Sequence, residues 1–270
     1  MQQQSPASFD SIINNIRLEV LTQAYYRADN HWNHENVCSP FNRLYCVTKG
    51  NGYIENKRGR IELAPGNTYL IPLGTTYSYR CPSSMEKYYV HFRLEVYPGR
   101  DIFDGVPEAR RIPSPKGIGA LLKRLSQSTR MQDVLHAKAA IIGLLGQFAS
   151  DNRIDDVRRS IAVAEKYKTL FNYLDGRKFT GISLGAMAEE MGMTLPSLSR
   201  HFKKDTGLTL TDYIASKATM RARELLLLTD RKVKDIAHEL GFQDEFYFSR
   251  FFRKHVRLSP QEYREVNALR

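Results

Sequence analysis

Two nine-residue segments of this chain carry serine, arginine and lysine at matching positions. The first, "PSLSRHFKK", occupies residues 196–204, and the second, "FYFSRFFRK", occupies residues 246–254. Each contains Ser-Arg-x-Phe followed directly by two basic residues. An arginine can form two hydrogen bonds to a guanine edge, and basic side chains bind phosphate oxygens. The two segments therefore contain the residue types that bind a nucleic acid.

The similarity extends upstream, into "MAEEMGMTLPSLSRHF" and "IAHELGFQDEFYFSRFF". Each copy predicts a short helix, a turn that contains Gly192 or Gly241, and a second helix. The glycines are 49 residues apart and the Ser-Arg pairs are 50 apart, so the second turn has one additional residue. A small alanine lets the two helices pack closely, and apolar residues at 198, 202, 248 and 252 fix the second helix to a core. We predict two helix-turn-helix units; two helical hairpins that serve only protein contacts are the alternative.

Strands are predicted in the first part of the chain. Between residues 42 and 96 apolar and polar residues alternate, as Tyr88, Val90 and Phe92 do with Tyr89 and His91. The segments "LYCVTKGNGYIE" and "RIELAPGNTYLIP" contain glycine and proline turns between short strands. A small β-barrel or sandwich is expected over residues 1–113.

Helices are predicted from about residue 114 onward. The segments "IGALLKRLSQ" and "VLHAKAAIIGLLGQFA" repeat apolar residues every three or four positions. Helices over residues 114–150 are expected to cap the barrel, to contact a second copy of the chain, or to do both. The polar run "SDNRIDDVRRS" predicts a linker over residues 151–160. Six or seven short helices are expected over residues 161–270, with left-handed glycines after helices at 176, 192, 207 and 241.

Charge and composition limit the class of protein. The 270 residues carry a net charge of +11, of which +7 lies from Val157 onward (21 Lys and Arg against 14 Asp and Glu). This excess favours an acidic partner, although a solvated basic surface would give the same balance. The three cysteines lack the spacing of a disulfide framework or zinc site, so we expect reduced thiols. No apolar run is long enough to cross a bilayer and no signal peptide is evident, which predicts a cytoplasmic protein without a membrane partner.

Residues 157–269 resemble the DNA-binding domain of the AraC/XylS family of bacterial transcriptional regulators. The segments "LSRHFKKDTGLTLTDYI", "ATMRARELLLLTDRKVKDIAHELGF" and "YFSRFFRKHVRLSPQEYR" carry the resemblance. It implies helix-turn-helix units at about 183–204 and 233–254, joined by a long helix over residues 210–228. Each second helix would enter a major groove of double-stranded promoter DNA. Arg257 departs from the family pattern, where glycine is common, and would either strain the turn or contact a phosphate.

The resemblance also implies which side chains bind DNA. In the first unit these are Thr194, Pro196, Ser197, Ser199, Arg200, Lys203 and Lys204. In the second unit they are Gln243, Asp244, Glu245, Phe246, Ser249, Arg250, Arg253 and Lys254. Pro196 offers no donor and Glu245 can accept only from a cytosine amine, so readout is expected to depend mainly on the two arginines and Ser199.

The strand-rich region resembles the cupin-like sensing domain of many members of this family. The run "TKGNGYIENKRGRIELAPGNTYLIPLGTTYSY" carries that resemblance. It implies a small effector inside the barrel, such as a sugar. The positions implied to bind the effector are Tyr79, Tyr89 and His91, with weaker additions at Trp32, His34 and Arg43. An empty barrel with these residues in its core or rim is the alternative.

A cupin metalloenzyme is the rival class for this region. Such barrels hold metal with a His-x-His pair, a Glu and a later His, whereas His31 and His34 are three residues apart and point to opposite faces of a strand. We therefore expect no enzyme activity, no metal and no cofactor.

The sequence predicts an α+β multidomain protein that regulates transcription, as an activator responding to a small effector, and that forms a homodimer. An activator would also contact RNA polymerase; a constitutive dimeric regulator is the second hypothesis.

Overall fold

The computed structural model describes residues 9–149 and 154–267, which divide into two compact units. One unit is rich in strands, and its described residues are 18–94, 102–149, 154, 266 and 267. The other is helical, and its described residues are 9–17, 95–101 and 155–265. This α+β architecture, with a sheet-rich N-terminal region and a helical C-terminal region, is the predicted fold class.

Two β-sheets with antiparallel strand pairs form the strand-rich unit. Helix α1 covers Phe9–Asn15 before the first strand. The strands are β1 Arg17–Asp29, β2 His34–Cys38, β3 Asn42–Gly50, β4 Gly52–Asn56, β5 Gly59–Leu63, β6 Asn67–Ile71, β7 Thr76–Arg80, β8 Ser84–Tyr97, β9 Arg100–Asp101 and β10 Arg110–Pro113. The larger sheet has the order β1-β8-β3-β6-β10, with β9 paired to β8, and the smaller has the order β2-β7-β4-β5.

Strand β3 lies inside the larger sheet and contributes to two separate cores. Leu44 and Cys46 pack in the core that also contains Val90, whereas Tyr45 and Val47 pack in the core formed with the smaller sheet. Alternate residues of a strand point to opposite faces, so a strand covered on both faces is buried almost continuously. The first six residues of β3 are all buried for this reason.

Two helices cover the outer face of the larger sheet. Helix α2 spans Ile118–Leu125 and helix α3 spans Met131–Phe148. Leu122 and Ile141 are buried in the same core as Val90 of β8. The helices thus pack against the sheet through one face, as one of the two predicted arrangements requires.

The predicted linker was wrong for residues 154–160, which are helical. Helix α4 covers Ile154–Lys166, and residues 150–153 of the proposed linker region lie outside the described residues. Ion pairs at i,i+3 join Asp155 to Arg158 and Asp156 to Arg159. Such pairs support a helix whose surface is polar, and the burial of Ile161 anchors it. The polar run was therefore the exposed face of a helix.

Eight helices form the described part of the helical unit from residue 154, more than the six or seven predicted. After α4 they are α5 Lys168–Leu174, α6 Leu184–Glu190, α7 Leu195–Thr206, α8 Leu210–Leu228, α9 Val233–Glu239, α10 Glu245–Val256 and α11 Pro260–Asn267. Tyr167 interrupts one predicted helix and so separates α4 from α5. The long helix α8 has the predicted bounds. The four predicted glycines all have positive φ, between 62° and 91°.

Candidate nucleic-acid interface

The first repeated segment forms a helix-turn-helix. Helices α6 and α7 are separated by residues 191–194, within which Gly192 has a φ of 62°. Ala188 of α6 is buried, and Leu198 and Phe202 of α7 have no exposed surface. Phe202 packs edge-on against Tyr213 of α8, with ring centroids 5.3 Å apart. These contacts fix α7 by its inner face and leave its outer face to solvent.

The second repeated segment has the same arrangement, with one more residue in its turn. Helices α9 and α10 are separated by residues 240–244, against 191–194 in the first unit. Ala237, Phe248 and Phe252 are buried, as their counterparts are in the first unit. Phe242, which follows Gly241 as Met193 follows Gly192, is buried with its ring centroid 5.2 Å from that of Phe248. The predicted duplication is therefore present in the structure.

The residues predicted to bind DNA lie on the outer faces and N-terminal ends of α7 and α10. Most are exposed: Thr194, Pro196, Arg200, Lys203, Lys204, Gln243, Asp244, Phe246, Arg250, Arg253 and Lys254. The other four are half-buried: Ser197, Ser199, Glu245 and Ser249. A partner that covers both outer faces could reach the whole set.

Two members of the set also have a structural role as helix caps. The Thr194 hydroxyl accepts a hydrogen bond from the Ser197 amide at 3.4 Å. A carboxylate oxygen of Asp244 accepts one from the Tyr247 amide at 2.6 Å. Side chains at this position satisfy a free amide of the first helical turn. Thr194 and Asp244 therefore stabilise the two outer helices independently of any DNA contact.

The cations of the two outer helices are available to an anionic partner. Arg200, Lys203, Lys204, Arg250 and Lys254 form no ion pair with any acidic residue in 9–149 or 154–267. Elsewhere in the unit, arginines are paired: Arg221 and Arg231 both contact Glu239. Exposed cations without carboxylate partners are suited to phosphate oxygens and guanine edges.

Arg250 lies at the rim of a cleft within the helical unit. The cleft has a volume of about 800 Å³, and its lining also includes Thr180, Asp244, Tyr247 and Phe251. The Arg250 guanidinium carbon is 5.9 Å from the centroid of the Tyr247 ring. Tyr247 is half exposed and was not among the predicted contacts. Tyr247 precedes Arg250 by three residues and so lies on the same face of α10, which is the sequence feature that could have identified it as a contact.

Arg257 has a left-handed backbone at the end of α10, with a φ of 69°. Gly207 has the matching role at the end of α7, with a φ of 79°. A side chain in this conformation costs about 1–2 kcal/mol relative to glycine. Of the two expectations for Arg257, backbone strain is the one that the geometry supports.

Replacing Arg257 with glycine should raise the free energy of unfolding by about 1 kcal/mol, because glycine adopts this φ without strain. Thermal and denaturant unfolding, followed by helical circular dichroism, measures the change. The matched control is Gly207→Ala, which should lower stability by a similar amount; a Cβ there would meet no atom within 4 Å, so only the backbone is tested. A destabilised Arg257→Gly variant would contradict the assignment of strain.

The six residues predicted to bind an effector lie together between the two sheets of the strand-rich unit. His34 and Tyr79 are partners across β2 and β7, and Arg43 and His91 are partners across β3 and β8. One Arg43 amine donates a hydrogen bond to the Tyr79 hydroxyl at 2.8 Å. The remaining two complete the group through ring contacts, Tyr89 with His91 at 5.0 Å and Trp32 with Tyr79 at 5.4 Å between centroids.

Four further side chains belong to this interior cluster and were not predicted: Tyr26, Phe41, Tyr45 and Lys87. Lys87 is two residues before Tyr89 and four before His91 on β8, so strand periodicity places all three on one face. Its ammonium lies 3.6 Å from the centroid of Trp32. The sequence signal for Lys87 was therefore its spacing from the residues already chosen.

Comparisons with known families match both units. Residues 20–147 match the AraC-like ligand-binding domain, and residues 187–265 match a helix-turn-helix domain. The chain belongs to the AraC family of transcriptional regulators. This AraC-family chain thus contains a ligand-binding domain in its strand-rich region and a DNA-binding domain in its helical region, as predicted.

Two relatives of this AraC-family chain are named as transcriptional activators. The HTH-type transcriptional activator Btr of Bacillus subtilis is 29% identical over 75% of this chain and 40% of its own length. The HTH-type transcriptional activator RhaS of Escherichia coli is 33% identical over 38% of this chain and 37% of its own length. The chain therefore spans about two fifths of the length of each of these relatives. Among solved structures, the C-terminal domain of the response regulator yesN of Fusobacterium nucleatum is 30% identical over 37% of this chain and 98% of its own, with a TM-score of 0.35.

None of the helices in residues 9–149 and 154–267 combines the length and the apolar character that a bilayer span requires.

Proposed function

We propose that this protein regulates transcription in the bacterial cytoplasm by binding promoter DNA through both helix-turn-helix units. The observation that carries the proposal is the duplicated unit whose outer helices expose unpaired cations at equivalent positions. The same chain contains an AraC-like ligand-binding domain. The role is one of binding, without an enzymatic step.

In this proposal the outer helices α7 and α10 each enter a major groove. Buried Phe202 and Phe248 hold the helices by their inner faces, which turns Arg200 and Arg250 outward. Arginine at such a position can read a guanine, whereas Lys204 at the helix end suits a phosphate. The two arginines supply sequence preference, and the lysines supply affinity for any DNA.

Effector binding would act by shifting a conformational population. A ligand that binds one state of the protein more tightly than another moves the equilibrium by the difference in binding free energy. We propose that an effector in the interior cluster changes which promoter half-sites are occupied. Because Btr and RhaS are activators, we propose activation, with RNA polymerase as an additional partner.

The exposed face of α3 supports a homodimer. Met131, Val134, Leu135 and Ile142 are exposed there by 47–71%, while Ile141 and Leu145 pack against the sheet. A helix with apolar residues on two faces exposes apolar area that a second copy can cover. We propose that two copies pair through this face.

Replacing Leu135 with glutamate should weaken such a dimer at least about tenfold, because it places a charge in an apolar contact. Sedimentation analysis of the full chain over a concentration series measures the dissociation constant. The control is Leu208→Glu, an exposed leucine of the helical unit that should leave the dimer unchanged. A wild-type protein that stays monomeric at every concentration would exclude the proposed dimer.

Genome-wide occupancy at base resolution tests the proposed function directly. Cells of the native host would be grown on different carbon sources and the bound DNA mapped for the wild type and an Arg200→Ala, Arg250→Ala double variant. Sharp promoter sites that vanish in the double variant are expected, and sites that change with one nutrient would support effector control. Sites that never change would indicate a constitutive regulator, and the absence of specific sites would overturn DNA regulation.

A further inference from the structure

Lys87 is a buried lysine at the centre of the interior cluster. Its side chain is 2% exposed on β8, and its ammonium lies 3.6 Å from the centroid of Trp32 and 3.7 Å from that of Tyr45. Within the described part of the chain it forms no ion pair. Burial, together with the Arg43 guanidinium, holds the Lys87 pKa well below its usual range. Aromatic faces stabilise an ammonium only partly, so this lysine costs folding free energy.

A second buried cation lies in the same cluster. Arg43 is 2% exposed on β3, and its guanidinium carbon is 5.4 Å from the Tyr79 centroid. Tyr79 in turn packs edge-on against Trp32, at 5.4 Å between centroids. The Trp32–Tyr79 pair therefore connects the two cations, and the aromatic rings around them form apolar walls.

Two imidazole nitrogens in the cluster have unused hydrogen-bonding capacity. His34 Nε2 and His91 Nδ1 are buried, and neither has a hydrogen-bond partner among the described residues. Burial and the charges of Lys87 and Arg43 lower the pKa of both histidines, the larger effect being on His91. Buried polar atoms without partners are uncommon and point to a group that binds there.

The cluster extends from this buried centre to the protein surface. The His91 ring is 5.0 Å from that of Tyr89, which is 6.4 Å from that of Tyr26, between centroids. His91 and Tyr89 are half-buried, and Tyr26 is 36% exposed. These three rings extend the cluster from the buried cations toward the surface.

We infer that the interior of the strand-rich unit binds a small organic carboxylate, with Lys87 and Arg43 facing its anionic group and the aromatic rings packing against its body. The inference rests on the proposed function, since it names the class of effector. A carboxylate matches both cations, because an ammonium donates to one oxygen and a guanidinium donates to two. An uncharged sugar would pack against the aromatic rings, but it would leave the buried Lys87 ammonium without a counter-charge. The expected effector is therefore an acid rather than the neutral sugar that the resemblance suggested.

Matched pairs of charged and uncharged probes test this inference on the full chain. The probes are benzoate with benzyl alcohol and D-glucuronate with D-glucose, titrated at fixed ionic strength. Trp32 is the only tryptophan of the chain and lies directly under the Lys87 ammonium, so its fluorescence reports the site. At least one acid should give a saturable change, with its uncharged partner binding at least tenfold more weakly.

Substitution of Lys87 separates a binding role from a packing role. Lys87→Met keeps the length and apolar stem and should weaken acid binding at least tenfold, while the melting temperature of the free protein stays equal or rises. The control is Lys49→Met, an exposed lysine on β3 that should bind the acid as the wild type does. Because the wild-type titrations stand alone, a Lys87→Met protein that fails to fold leaves the test intact.

Two results would overturn the inference. Glucose that binds as tightly as glucuronate, and equally to Lys87→Met, would establish a site for neutral sugars. The absence of a saturable change with either acid would exclude an anion site in this interior.

DNA binding by the same preparations is measured in parallel. Protein that binds promoter DNA but neither acid contradicts only the ligand class, whereas protein without specific DNA binding contradicts the proposed function.

Discussion

Replacing Phe248 with alanine should lower the free energy of unfolding by about 3–5 kcal/mol. Phe248 has no exposed surface and packs with ring centroids 5.2 Å from Phe242 and 5.8 Å from Phe252. Truncation loses the transfer free energy of the ring and leaves a cavity that its aromatic neighbours cannot fill. Denaturant unfolding of the full chain, followed by helical circular dichroism, measures the loss. Specific DNA binding should fall with it, since α10 loses its anchor.

The same helix supplies a matched control two residues earlier. Phe246 is 70% exposed at the N-terminal end of α10, so Phe246→Ala should change stability by less than about 0.5 kcal/mol. It removes an apolar group from the proposed DNA-facing surface and tests that surface without disturbing the core. Equal destabilisation by the two substitutions would contradict the orientation of α10 described above.

The helical unit was predictable from the sequence because its features repeat. A helix that packs on one face must keep apolar residues three to four positions apart, which Leu198 and Phe202 do in one copy and Phe248 and Phe252 do in the other. Because the same pattern occurs twice in the same order, it predicts where both turns lie and which face of each second helix is exposed. The bounds of α8 were implied by the resemblance to the AraC/XylS family, and the structure has the same bounds.

Secondary structure was harder to predict from the sequence where many residues of an element are exposed, because the regular spacing of apolar residues is then lost. Strand β1 is a long strand at the edge of the larger sheet, and most of its residues are half-buried or exposed, so it shows no clear alternation. Helix α4 begins with charged residues whose ion pairs lie on its surface, and such a polar run predicts a linker rather than a helix. Strand β1 is stabilised from far along the chain, since Arg27 pairs with Glu86 of β8, and local pattern cannot show such a contact.

The sequence predicted six members of the interior cluster, Arg43 among them, and missed its second buried cation, Lys87. Strand periodicity places Lys87 on the same face as Tyr89 and His91, but a lysine in a strand is normally exposed, so its burial becomes evident only from the pairing of β8 with β3. That register opposes Lys87 to Val47 and directs its side chain into the same interior as Tyr45. Only the structure could therefore show that two cations share this site, and with them the class of ligand.

Replacing Arg200 or Arg250 with alanine should weaken binding to the preferred DNA site by about 1–3 kcal/mol, or roughly 5- to 150-fold. Each arginine is exposed on an outer helix and has no carboxylate partner in residues 9–149 and 154–267, so it is available to a guanine edge. Loss of a base contact removes preference at one position of the site and leaves binding to unrelated DNA nearly unchanged. Anisotropy titrations with duplexes selected by the wild-type protein, and with every single-base variant of them, measure both quantities.

Lys204→Ala is the comparison that separates base readout from phosphate binding. Lys204 lies at the end of α7, exposed and without an ion pair in the described chain, where a phosphate contact is expected. Its removal should weaken all duplexes alike and reduce the slope of log affinity against log salt by about one unit. If an arginine variant also weakened all duplexes alike and lowered this slope, that arginine would be a phosphate contact. Sequence preference would then have to come from the other polar side chains of the predicted set, such as Ser199, Gln243 and Glu245.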